Sequence, residues 1–257
     1  MCQNIVRRGM LALLVVIAAA VASAQGLYWE STSSGKQEAS HSGARSYAVP
    51  KMFKNVDGDR VVLIRLDRRK LYSIDLGKKT YWEMTFAEME RMMKRARAQT
   101  EQVQKQMRNL SPEQKRMVEE QMGKGMAGLM ASGGKVKITA TNEVKTVSGY
   151  TCTKYIASHK ENTLLVAWAT KGVKGFTSLR KDWDQFYTRL LSLSPATSMG
   201  FAEAFRKIDG FPMEMEAAGR TTVVTKVEQR PIPTAEFELP SGLTQQQNPL
   251  LQAPATQ

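Results

Sequence analysis

The residue types that most often perform catalysis are scarce in this sequence. Its 257 residues include two histidines, His41 and His159, and neither has a second metal ligand at the spacing that zinc sites use. Asp182 and Asp184 flank Trp183 in a helical segment, where residues two apart do not share a face. These patterns predict ordinary surface histidines, no metal site, no cofactor and no enzymatic activity.

Cysteine is the remaining candidate nucleophile. Cys2 precedes an N-terminal apolar run, and Cys152 lies within the strand-like sequence Tyr-Thr-Cys-Thr-Lys-Tyr. That context offers no helix N-terminus to lower the pKa of the thiol, although a distant histidine could in principle pair with it. We expect Cys152 to be a buried residue, the alternative being a disulfide between chains.

The N-terminus has the pattern of a secretory signal peptide. Arg7 and Arg8 precede an apolar run over residues 10–21, which is short for a membrane span. Ala22-Ser23-Ala24 then fits cleavage at small residues. The sequence predicts a signal peptide over residues 1–24, cleavage after Ala24 and export to the periplasm, with an uncleaved anchor as the alternative.

The chain is strongly basic, with a formal net charge of +13. Such a charge favours anionic partners, and the predicted export argues against nucleic acid. The partners that we expect are an apolar ligand or lipid and, alternatively, an anionic membrane surface or an envelope protein.

Residues 85–131 read as a pair of amphipathic helices, and they hold more than half of the chain's 15 methionines. Thr85 and Glu88 fit a capping box at the start of the first helix, and Ser111 and Gln114 fit one for the second. Methionine is unbranched and polarizable, so a Met-lined surface repacks around varied apolar partners. The alternative is that these methionines fill the core against a sheet.

A candidate ligand pocket follows from this pair and from the apolar stripe of a third helix over residues 176–193. Both stripes have helical spacing and would face a sheet. The predicted ligand-binding residues are Met89, Met93, Met122, Met126, Trp183 and Phe186.

The remaining segments alternate between strands and turns. Predicted strands occupy residues 26–33, 60–66, 70–75, 80–84, 135–141, 143–147, 150–157, 162–170, 211–216, 221–228 and 237–240. Residues 34–46 look turn-like, and a short helix is predicted over 198–208. The order predicts an α+β fold in which a curved antiparallel sheet packs against helices, with the Met-rich helical pair inserted between strands. Residues 25–240 would form one domain, and the Gln- and Pro-rich residues 241–257 a disordered tail.

Several strand and turn motifs carry a family resemblance. They are Leu71–Asp75, Lys79–Thr85, Ser148–Tyr155, Gly210–Met213 and Pro233–Pro240. The chain resembles a bacterial family of exported proteins known as a domain of unknown function. Its architecture is also similar to the lipoprotein carriers LolA and LolB, whose fold is an open half-barrel with helices across one face.

The LolA-like resemblance implies a hydrophobic pocket for acyl chains or another apolar ligand. The long, basic, Met-rich helical pair departs from that group and indicates a different cargo or a partner surface. Two functions follow as expectations. The first is a periplasmic, non-enzymatic carrier of an apolar ligand. The second is an envelope interaction protein that docks through the helical pair.

Overall fold

The computed structural model describes residues 23–35, 38–109, 111–114, 116–117, 136–159, 162–193, 206–217 and 219–252. In this part of the chain, strands dominate and helices are few. Twelve strands form one curved, unclosed sheet. The predicted curved antiparallel sheet is therefore confirmed.

The elements are defined as follows, in chain order. The strands are β1 (Ser23–Gly35), β2 (Glu38–Val49), β3 (Met52–Asp57), β4 (Arg60–Arg65), β5 (Lys70–Asp75), β6 (Thr80–Thr85), β7 (Lys137–Val147), β8 (Tyr150–His159), β9 (Asn162–Thr170), β10 (Phe211–Ala217), β11 (Arg220–Pro233) and β12 (Thr244–Gln245). The helices are α1 (Phe86–Arg108), α2 (Phe176–Leu193) and α3 (Pro249–Gln252), with a 3₁₀ turn at Thr234–Phe237.

The first strand of the described chain lies in the middle of the sheet, beside β11. The strand order is β12-β6-β5-β4-β3-β2-β1-β11-β10-β9-β8-β7, so β1 lies between β2 and β11. All neighbouring strands are antiparallel except β12, which runs parallel to β6. Most antiparallel neighbours that are consecutive along the chain are joined by short turns, whereas residues 171–210, which include α2, connect β9 to β10. At one of the short turns, Ser148 and Gly149 have φ values of 48° and 83°, as a tight hairpin turn requires.

Both faces of the sheet are covered near β2. Ala48 and Val49 are adjacent in this strand, so their side chains point to opposite faces. Ala48 packs in a cluster with Leu179 of α2, whereas Val49 packs in a second cluster with Phe237 of the C-terminal segment. The sheet is thus sandwiched between α2 on one side and the 3₁₀ turn on the other.

A buried arginine attaches the C-terminal segment to the β4–β5 hairpin. Arg65 is 5% exposed, and its guanidinium donates hydrogen bonds to both carboxylate oxygens of Asp67 at 3.0 and 2.7 Å. Its Nη1 atom also donates to the carbonyl oxygen of Phe237 and to Glu238. Arg68 donates two further bonds to Glu238. The charges are paired and hydrogen-bonded, as buried ions must be.

Two segments differ from the sequence prediction. Residues 34–46, predicted as a turn, contribute to β1 and β2. Their polar residues lack the apolar alternation typical of a strand, and β2 forms through its pairing with β1, in which Ala48 lies opposite Leu27. Residues 237–240, predicted as a strand, instead begin with the last residue of a 3₁₀ turn and form no strand. Phe237 is fully buried there, and its ring together with the hydrogen bonds from Arg65 holds the segment without strand pairing. Strand β3 has no counterpart in the prediction.

The C-terminal segment differs as well, since disorder was predicted from Ser241 onward. Thr244 and Gln245 pair with β6, and the N–H of Gln246 donates to the carbonyl oxygen of Tyr81 at 2.7 Å. Asn248 is buried. A few backbone bonds to an edge strand order this segment, and composition does not reveal them.

Both predicted capping boxes are present. Glu88 accepts from the N–H of Thr85 at 2.8 Å, and the Glu88 N–H donates to Thr85 Oγ1 at 3.2 Å. Ser111 and Gln114 make the same reciprocal pair. The rest of the predicted second helix, residues 118–131, lies outside the described residues, as do most of the predicted signal peptide and of the helix over 198–208. Among the described residues, no helix is long and apolar enough to cross a membrane.

Candidate functional site

A cavity of about 470 Å³ lies between α2 and the face of the sheet that this helix covers. Strands β1, β2, β3, β10 and β11 contribute its floor, and α2 with residues 206–210 contributes its other walls. The residues at its base are buried apolar side chains, because every second residue of these strands faces α2. These buried floor residues are Leu27, Ala48, Phe211 and Val224, and Leu179 of α2 packs in the same cluster.

Five aromatic rings run in a chain along this cavity. Phe176 meets Phe211 edge to face with ring centroids 5.1 Å apart, and Phe211 meets Trp29 at 5.5 Å. Trp29 lies 5.9 Å from Phe53, which in turn contacts Trp183 at 5.3 Å. Edge-to-face pairs at these distances stabilise each other beyond simple burial. This part of the cavity wall is therefore aromatic and apolar.

Arg180 of α2 connects the helix to the segment that precedes β10. Its Nη1 atom donates to the carbonyl oxygen of Ile208 at 2.6 Å, and Nη2 donates to that of Arg206 at 2.8 Å. Its Nε atom faces Asp184 Oδ2 at 3.3 Å, one helical turn further on. One charged side chain thus fixes the position of residues 206–208 at the side of the cavity.

Only one of the predicted ligand-binding residues lies on the cavity in the described part of the structure. Trp183 lines it. Met89 is buried and Met93 half-buried on α1, and neither is among the described residues that line the cavity. Met122, Met126 and the side chain of Phe186 lie outside the described residues.

The sequence prediction missed the aromatic residues contributed by the strands. Trp29 and Phe53 line the cavity from β1 and β3, and Phe211 from β10. A signal for Trp29 was present, because Leu27 and Trp29 are two apart in a predicted strand and must share a face. Phe211 belongs to the Gly-Phe-Pro-Met motif, whose Gly210 has φ 116° and leaves no room for a side chain against Thr170.

Cys152, the candidate nucleophile, and His159 are not among the residues that line the cavity. Cys152 is fully buried, as predicted, and burial raises the pKa of its thiol. His159 is 5% exposed at the end of β8, so the prediction of a surface histidine is wrong at this position. Within the described residues, no group of three or more His, Cys, Asp or Glu side chains is arranged to hold a metal ion.

The solved structures to which this chain is similar have little sequence in common with it. An uncharacterised conserved protein from Thermus thermophilus is 8% identical with a TM-score of 0.45, over 88% of this chain and 91% of the other. A LolA-superfamily protein from Nitrosomonas europaea is 8% identical with a TM-score of 0.26, over 86% and 91%. The structure of PNGF-II is 10% identical with a TM-score of 0.39, over 88% of this chain.

The chain spans 31% of the length of PNGF-II. No curated protein matches the sequence. A family model does match residues 77–243, which run from the end of β5 through the 3₁₀ turn to the start of β12. The chain belongs to the family described as a domain of unknown function, DUF4412.

Proposed function

We propose that this protein binds and carries an apolar ligand in the aromatic cavity between α2 and the sheet. The observation that supports the proposal most directly is the chain of five rings along a space of about 470 Å³. Ligand sites are usually concave, largely apolar and of about 300–1,000 Å³. Apolar cavities of this kind take up apolar molecules in preference to water.

The carrier acts without chemistry in this proposal and works after export, with the predicted signal peptide removed. The aromatic walls supply the free energy of binding by removing apolar surface from water, at about 25 cal/mol per Å². Binding is reversible because no covalent bond is needed.

The first test is a native purification. Residues 25–257 are produced with the natural signal peptide, isolated from the periplasm without detergent, and extracted for mass spectrometry. We expect a co-purifying apolar molecule at close to one equivalent. The same preparation, stripped of ligand, is expected to bind N-phenyl-1-naphthylamine with a rise in fluorescence.

A cavity-filling variant shows whether that signal comes from the proposed site. Ala48 is buried in the floor, so Ala48→Phe places a ring in the space that the probe would use. The control is Ala140→Phe on β7, where the side chain is exposed. Loss of probe binding in the first variant alone supports the proposal, and binding unchanged in both would refute it.

A second candidate function rests on the surface of α1. Four of its basic side chains are exposed, and they lie on the solvent side of a helix whose Met89 is buried. Such a face attracts anionic headgroups at about 1 kcal/mol per basic residue close to a surface. Docking on anionic vesicles would decline steeply with salt, whereas binding of an uncharged probe in the cavity would not. The four residues are Arg91, Lys94, Arg95 and Lys105.

A further inference from the structure

The cavity is not uniformly apolar, and its charged residues lie together. Arg180, Asp184 and Arg206 line the same space, and Arg180 bridges the other two through its hydrogen bonds to the Asp184 carboxylate and the Arg206 carbonyl oxygen. These three residues therefore form one hydrogen-bonded group, the charged end of the cavity. Arg180 and Asp184 lie on α2 together with Trp183, so this end is next to an aromatic ring of the wall.

The charges at this end do not cancel. The guanidinium of Arg180 is paired with the Asp184 carboxylate. Arg206 is exposed, and among the described residues its contact is through its backbone carbonyl oxygen, which accepts from Arg180. No described carboxylate pairs with the Arg206 guanidinium. One positive charge is left over where the apolar space meets solvent.

The volume of the cavity indicates the approximate size of a ligand that it accommodates. A group the size of a water molecule occupies about 30 Å³, so 470 Å³ accommodates about 16 such groups. A single hydrocarbon chain of medium length with one small headgroup has this number of heavy atoms.

We propose that the ligand is a single-chain amphiphile with an anionic headgroup, which the guanidinium of Arg206 binds while the chain lies along the aromatic rings. This inference rests on the proposed function and adds the chemical class of the ligand. Arginine presents paired N–H donors that match a carboxylate or a phosphate. Arg180 is a positioning residue, since it holds the backbone of Arg206 beside α2.

The test compares dodecyl compounds that differ only in the headgroup. Titration calorimetry of the ligand-stripped protein uses dodecanoate, monododecyl phosphate, dodecanol and dodecyltrimethylammonium, each below its micelle concentration. We expect both anions to bind at least about ten-fold more tightly than the alcohol, and the cation to bind most weakly. The two anions separate a carboxylate from a phosphate preference.

Two variants assign the preference to Arg206. Arg206→Gln is expected to weaken dodecanoate binding about ten-fold and to leave dodecanol binding unchanged, whereas Arg206→Lys retains most of the preference. Lys181→Gln removes the same charge from an exposed position on α2 and serves as the control. Arg206 is itself exposed, so its replacement leaves the fold intact, which a thermal melt verifies.

The outcomes separate the two proposals. If none of the four compounds binds, the carrier function fails and the headgroup assignment fails with it. If dodecanol binds as tightly as dodecanoate, or if Arg206→Gln leaves the preference for anions in place, the headgroup assignment is overturned while the apolar cavity stands. A loss of the preference in Lys181→Gln equal to that in Arg206→Gln would also overturn it.

Discussion

The indole of Trp183 meets the ring of Phe53 edge to face, with centroids 5.3 Å apart. This pair joins α2 to β3 and at the same time forms part of the cavity wall. A residue in such a position affects both stability and binding, so its replacement distinguishes the cavity from the methionine stripe of α1 as the ligand site.

Trp183→Ala is expected to weaken binding of N-phenyl-1-naphthylamine about ten-fold, because it removes one of the two indole rings in the chain of aromatics. The half-buried side chain also contributes about 2 kcal/mol to the free energy of unfolding. Fluorescence titration and urea unfolding measure the two effects. Met93→Ala, on α1, is the matched control and should leave the affinity unchanged. The reverse pattern would place the ligand on the methionine stripe.

Arg65→Met should destabilise the protein by about 3 kcal/mol, since it leaves the carboxylates of Asp67 and Glu238 without their buried partner. Chemical denaturation monitored by tryptophan fluorescence measures the change. Arg60→Met, at an exposed position of the same strand, is the control and is expected to cost little. Equal stability of the two variants would show that the contacts of Arg65 with Asp67 and Glu238 contribute nothing to the free energy of unfolding.

Low pH should weaken the ion pairs that Arg65 and Arg68 form with Asp67 and Glu238. Hydrogen bonds from Arg68 and Arg65 hold the pKa of Glu238 below its usual 4.5, and the bond from Arg65 holds that of Asp67 below 3.8. Both carboxylates thus bind protons less readily in the folded state, so their stabilisation is complete above pH about 4.5 and is lost as the pH falls through the folded pKa values. Urea titrations from pH 6 to pH 3 test this, and Glu238→Gln should show a shallower slope. An identical slope would contradict the assignment.

Ending the chain at Pro240 should lower the melting temperature by several degrees. The shortened chain loses the pairing of β12 with β6 and the packing of Leu243 on the cluster around Phe237, worth about 2 kcal/mol together. A chain ending at Gln252 keeps these contacts and is the control. Equal melting temperatures for the two chains would show that the C-terminal segment is dispensable, as its composition suggested.

Cys152 should resist thiol reagents while the protein is folded. Its side chain is fully buried and burial raises the pKa of the thiol, so the reactive thiolate is scarce at pH 8. Ellman's reagent should therefore react only after denaturation. Thr151→Cys introduces a thiol at the adjacent, exposed position and should react at once. Rapid reaction of the wild-type protein would show that the strand opens readily.

The sequence predicts much of this fold because its strands follow simple periodicity. The predicted bounds of β5, β9 and α2 coincide with the observed ones, since each has a clear apolar pattern between turn residues. Strand β2 was missed because its residues are mostly small and polar, and only pairing with β1 makes them a strand. The order of the strands follows from long-range pairing and not from local pattern.

The candidate site was less predictable than the fold. Trp183 was found because helical spacing places it on the apolar stripe of α2. Phe53 and Phe211 come from strands far apart in sequence, and their meeting with Trp29 depends on the register β1–β2–β3 and β11–β10. No local pattern encodes that register. Likewise, the sequence does not show which arginine of the site lacks a paired carboxylate, because this depends on the ion pair that Arg180 forms with Asp184.

The pairing of β1 with β11 has a consequence for how the chain folds. Ser33 and Thr222 form a cross-strand hydrogen bond although 189 positions separate them, and the strands between them divide into hairpins on either side. Those hairpins can form from strands that are close in sequence, but the pairing of β1 with β11 needs a strand near the C-terminal end of the chain. Closing so long a loop slows folding. The unfinished chain keeps two unpaired strand edges exposed, and it is at this stage that a chaperone would protect it from aggregation.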